Sequence, residues 1–102
     1  MEMILTGRMI TAEEAFSYGI INFVYDSDDL MDEAMQIANT IGEKSKYAVE
    51  RAKKSVKAVS EMNLKDGLKL EREMFIECLN SEDGGEGITA FIEKRKPNFK
   101  GK

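Results

Sequence analysis

"DSDDLMDEAMQIANTIG", Asp26 to Gly42, decides how the chain is read. Leu30, Ala34, Ile37, Ala38 and Ile41 recur at the spacing that puts them on one face of a helix, and the acids gather where the helix dipole is positive. Gly42 marks the stop. The same period holds downstream. A second helix begins near Ser45 and turns Ala48, Val49, Ala52, Val56 and Val59 inward, with Lys46, Glu50, Arg51, Lys53, Lys54 and Lys57 pointing elsewhere. Asn63 caps "LKDGLKLEREMFIECL", in which Leu64, Leu68, Phe75 and Leu79 keep helical register, and Gly67 weakens that helix by about 1 kcal/mol relative to alanine. A last helix runs from about Ser81 to Lys96, with Ile88, Phe91 and Ile92 on one side and Pro97 as its stop. Gly84, Gly85 and Gly87 predict a frayed start for it.

Upstream of Asp26 the pattern changes. Thr11 followed by Glu14 is a capping box opening "TAEEAFSYG", and Gly19 supplies a left-handed stop. "IINFVYD", Ile20 to Asp26, is β-branched and aromatic, bounded by turn residues and too short for a useful helix; it reads as a strand. "MEMILTG" reads as the last turns of an amphipathic helix ended by Gly7, with no capping residue before it, so upstream sequence is expected to be missing. The fold class is therefore mainly α, amphipathic helices with one short strand. Short connections and the lack of repeats or linkers advertise no interior boundary.

With 102 residues the chain is one domain at most, and size scaling predicts that it hides roughly two thirds of its unfolded surface. Fifteen basic and nineteen acidic residues leave a formal charge of -4, which gives the whole molecule no footprint for nucleic acid or an anionic membrane. The single cysteine, Cys78, excludes an internal disulfide, and the lack of histidine excludes the usual zinc sets and Ser-His-Asp triads. No cofactor and no metal site is expected. The apolar runs are too short to span a bilayer, and no signal-peptide pattern opens the chain; the expectation is a cytoplasmic, reducing location.

Four stretches invite a chemical reading and fail it. Asp26, Asp28 and Asp29 lack the glycine and the bidentate glutamate of a calcium loop. The paired acids Glu13 and Glu14, Glu71 and Glu73, Glu73 and Glu77, and Glu82 and Asp83 read as solvated charge rather than an acid-base pair in a dry pocket. Cys78, with no histidine to activate it, reads as a packing thiol. "EDGGEG" lacks the strand, lysine and hydroxyl of a phosphate loop. The closing cluster Lys94, Arg95 and Lys96 admits two readings. One is a solvated cationic helix end favoured by the dipole. The other aims Lys94 at an anionic ligand beside the flat apolar ring of Phe91, a pairing suited to a phosphorylated nucleotide.

Taken together, "LTGRMITAEEAFSYGIINFVYD", "LKLEREMF" and "EGITAFIEKRKPNF" resemble the C-terminal portion of the enoyl-CoA hydratase (crotonase) superfamily, from Met1 to about Lys100. The resemblance implies a crotonase-like fold in which residues 1–25 form the edge of a missing core (helix end, short helix, strand) and residues 26–102 the C-terminal helical oligomerisation region. Such proteins assemble as trimers, hold acyl-CoA thioesters and stabilise an enolate oxygen with two backbone amides. Two glutamates of the hydratases add water across the double bond. No position here matches those glutamates or the amide-bearing loops, so the chain by itself is expected to carry no catalytic residue and to be inactive.

In the family's "AF-EKR" motif an aromatic and a lysine approach CoA, and these fall on Phe91 and Lys94, which tips the closing cluster toward a ligand contact. Phe75 falls where the family brings an aromatic near the acyl pocket, although its spacing fits plain core equally well. The expected partners are other copies of the chain and, in an intact enzyme, acyl-CoA. The rival reading is a stand-alone helical protein-binding module, cued by the many methionines and amphipathic faces.

Overall fold

The computed structural model describes all residues, 1–102, and divides into two compact units, residues 1–36 and 37–102. Six helices account for the regular structure: α1 Glu2–Thr6, α2 Ala12–Ser17, α3 Leu30–Gly42, α4 Lys46–Ala58, α5 Leu64–Leu79 and α6 Glu82–Glu93. The division between the units falls within α3.

In the first unit α1 ends at Gly7, whose φ of 64° is left-handed. At α2 both halves of the capping box form: Glu14 N–H donates to Thr11 Oγ1 at 3.2 Å and Thr11 N–H to Glu14 Oε2 at 3.1 Å. Arg8 ties the two helices together through Glu2 at 3.1 Å and Glu14 at 3.2 Å. Gly19 turns the chain left-handed with φ 71°, as the sequence requires.

Residues 20–22 bend after α2 and residues 23–26 carry no regular structure, so no strand forms, which corrects the sequence reading. A strand satisfies its N–H and C=O groups on a neighbouring strand, and this chain has none. The β-propensity of the segment reports side chains suited to a half-buried pleated surface. Phe23 and Tyr25 instead meet each other, rings 5.8 Å apart, and Ile20, Phe23 and Val24 stay exposed.

In the second unit α4 packs on α5, and α5 on α6. Asn63 is the cap expected of it, its Oδ1 accepting from Asp66 N–H at 3.1 Å, and α4, expected to begin near Ser45, is capped by that residue, whose Oγ accepts from Ala48 N–H at 3.2 Å. α3 does finish at Gly42, yet that glycine keeps a negative φ and provides no left-handed cap. Between α4 and α5 the bridge is Arg51. Its guanidinium lies 3.2 Å from the Tyr47 ring centroid and its Nε donates to Glu77 Oε2 at 2.8 Å.

The buried apolar side chains are Ala15, Ala58, Met74 and Ala90, and no large side chain is fully enclosed. Of the residues expected to face inward, Val56 and Val59 are more than two-thirds exposed, as is Leu64. The chain exposes 8656 Å², against about 5,800 Å² for a compact monomer of its mass. About half of the unfolded surface is hidden rather than roughly two thirds. Periodicity marks which face of a helix is apolar; it does not supply the layer that covers it.

Candidate ligand-contacting site at the end of α6

The closing segment is organised by two carboxylates of α6. Ser81 caps the helix, its Oγ accepting from Gly84 N–H at 2.9 Å, so the glycine-rich start is ordered rather than frayed. Gly84 has a packing reason: a Cβ there would fall inside 3.0 Å of the Cys78 and Leu79 carbonyl oxygens at the end of α5. Only a residue without a side chain lets α6 start that close to α5.

Asp83, read from the sequence as solvated charge, is 3 % exposed. Its Oδ2 accepts from Ser45 Oγ at 2.5 Å and Gly101 N–H at 2.9 Å, its Oδ1 from Lys100 N–H at 2.7 Å, and its own N–H donates to Lys102 O at 2.9 Å. Burial pushes its pKa up, but the hydrogen bonds from Ser45 and the closing backbone prevail and hold it below the ordinary value. Asp83 thus fastens the closing segment to the starts of both α4 and α6. One retrospective cue is its position two residues after the Ser45-like cap Ser81, in a stretch whose glycines admit close backbone approach.

Glu86 makes the second fastening. It takes the Arg95 fork in both oxygens, Nη1 to Oε1 at 2.6 Å and Nη2 to Oε2 at 2.9 Å, and accepts Asn98 N–H at 2.7 Å. The Arg95 guanidinium first, and the Asn98 amide next, lower its pKa to about 2. Arg95 also donates from Nε to Glu93 at 2.6 Å, and Lys96 pairs with Glu43 at 2.9 Å.

α6 itself ends earlier than expected. Lys94 adopts φ 54° and ψ 38°, the chain's one non-glycine residue with positive φ. Lys94 N–H reaches Phe91 O at 3.3 Å and Arg95 N–H reaches Ala90 O at 3.0 Å, the paired bonds of a Schellman cap. The helix is therefore closed three residues before Pro97, which is not its stop. A left-handed side chain costs roughly 1–2 kcal/mol where glycine would cost little.

The expected contact residues separate into two places. Phe91 and Lys94 sit together at the end of α6, Phe91 85 % exposed and Lys94 exposed with no ion pair, while Arg95 and Lys96 on the same stretch are both paired. Phe75, 61 % exposed, lies in an apolar groove between α4 and α5 with Ala52, Val56, Leu68 and Met74, a groove that neither Phe91 nor Lys94 lines. Cys78 lines the same groove and is partly covered.

The model of the enoyl-CoA hydratase/isomerase family matches residues 1–102. The chain is 44% identical over 100 residues to the mitochondrial enoyl-CoA hydratase of Pongo abelii, covering 98% of this chain and 34% of that protein. It is 38% identical over 101 residues to the 2,3-dehydroadipyl-CoA hydratase of Escherichia coli, covering 99% of this chain and 40% of that one. Among solved structures, the enoyl-CoA hydratase of Bacillus anthracis superposes with a TM-score of 0.92 at 37% identity, over 99% of this chain and 39% of that chain. The chain thus spans between a third and two fifths of the length of these relatives, and the part it matches is C-terminal.

Proposed function

The chain belongs to the enoyl-CoA hydratase/isomerase family, and we propose that within it this segment serves assembly and CoA contact rather than the chemical step. The parent reaction is the reversible hydration of 2-enoyl-CoA thioesters in fatty-acid metabolism. On this reading the Lys94 ammonium meets a phosphate or ribose oxygen of CoA, the ring of Phe91 offers an apolar surface beside it, and Phe75 is a secondary candidate near the acyl chain. The observation that carries the reading is the closing cluster itself. Two of its three cations are spent on carboxylates of the protein, and the third stands unpaired in a conformation that glycine would adopt at less cost. A solvated helix end needs no such arrangement. The assembly role is supported by the uncovered faces of α4, α5 and α6, which carry Val56, Leu64, Ile88 and Ile92 in water.

Calorimetric titration of the chain with CoA is expected to show saturable binding that Lys94→Ala weakens roughly tenfold, the effect of losing one charge-assisted hydrogen bond. Crotonyl-CoA added to the same sample is expected to remain unhydrated. Binding indifferent to Lys94 would remove the contact role. The second reading, a module for a partner helix, draws on the apolar groove that holds Phe75; it gains if the chain associates with itself yet ignores CoA.

A further inference from the structure

We infer that Glu86 is a positioning residue: by holding Arg95 and Asn98 it fixes the pose in which Lys94 is presented. This rests on the reading of Lys94 as the CoA contact and names the device that serves it. Lys94 occupies a strained conformation, and such conformations persist where the surroundings over-determine them. The cap bonds define the turn from the helix side, through Phe91 O and Ala90 O. From the other side one carboxylate holds both Arg95 and Asn98, while Lys96 between them is paired separately with Glu43. Glu86 Oε1 accepts both Arg95 Nη1 at 2.6 Å and Asn98 N–H at 2.7 Å, so it grips the residue after Lys94 and the residue after Pro97 at once.

Arg95 carries the restraint back across Lys94, because its Nε donates to Glu93 at 2.6 Å. Lys94 is therefore bracketed by two residues joined to each other, with its backbone between them and its side chain free of the network. The same pairings neutralise Arg95 and leave Lys94 without a competing carboxylate. Farther along, Asp83 anchors Lys100 and Gly101, so release at Glu86 loosens the turn while the end of the chain stays attached.

The test uses the full chain and Glu86→Ala, with Glu86→Gln as the milder variant that keeps the volume and an oxygen acceptor for Asn98 N–H while removing the charge opposite Arg95. Amide exchange by NMR reads the turn directly. Asn98 N–H is expected to exchange about tenfold faster or more in Glu86→Ala, with the α4 and α5 amides unchanged and the helical circular dichroism retained. CoA affinity is expected to fall about as far as in Lys94→Ala, roughly tenfold, with Glu86→Gln between the two and Lys94→Ala/Glu86→Ala no weaker than Lys94→Ala alone. Native CoA affinity in Glu86→Ala, beside a clear loss in Lys94→Ala, overturns the positioning role and leaves the contact reading standing. Independent, additive losses also overturn it, since Glu86 would then act on CoA by another route. If the wild-type chain ignores CoA, or Lys94→Ala binds it normally, the contact reading fails and takes this role with it. Unchanged exchange at Asn98 rejects Glu86 as the restraint whatever the binding shows.

Discussion

Gly84, Asp83 and Glu86 do more to shape the closing segment than its cations do. The close approach of α6 to the last carbonyls of α5 leaves no room at Gly84 for a methyl group. Gly84→Ala is expected to destabilise the second unit by about 1–3 kcal/mol, the range for overpacking against backbone, despite alanine's better helix propensity; urea unfolding followed by circular dichroism measures it. The two carboxylates also make a pH prediction. Each has a folded-state pKa below its ordinary value, Glu86 about 2 and Asp83 lowered in direction. The unfolded chain therefore binds more protons as acid is added. Their contribution is fully present above the ordinary carboxylate range and is lost as pH falls from about 4.5 toward 2. Urea midpoints taken across that window are expected to drop, and in Glu86→Gln to drop less steeply. Apart from the place of Asp83 just after the cap Ser81, nothing in the sequence sets these two residues off from other acids in a charged, glycine-rich run. What distinguishes them is contact with residues up to 38 positions away.

The helices themselves were readable because what starts and stops a helix is local. Thr11 with Glu14, Ser45 and Asn63 are caps whose partners lie three residues away, within reach of a sequence window. Asn63→Ala should accordingly cost about 1 kcal/mol, seen as a lower thermal midpoint with native helicity retained at low temperature. Two elements were misread for reasons of the same kind. The segment 20–26 has the composition of a strand without a strand to pair with, and α6 ends at a left-handed lysine. Lysine at that position carries no local warning, since the default occupant is glycine. The proline that was read as the stop comes after the turn is complete.

For the molecule as a whole, the surplus of exposed apolar surface is the governing fact. Phe91 is 85 % exposed and Leu64 78 %, and only four apolar residues, three of them alanine, are buried. Dynamic light scattering is expected to find the purified chain associated at micromolar concentration, with the apparent mass rising with concentration; a monodisperse monomer would contradict the assembly role. By itself the sequence determined the helices, their caps, their apolar faces and the membership of the enoyl-CoA hydratase/isomerase family, because each is written in spacings of a few residues or in motifs matched along the chain. The tertiary structure alone decided which apolar faces are covered, which carboxylates fasten the closing segment and which of its three cations is left free. Those outcomes depend on groups far apart in the chain, and no periodicity records where such groups meet.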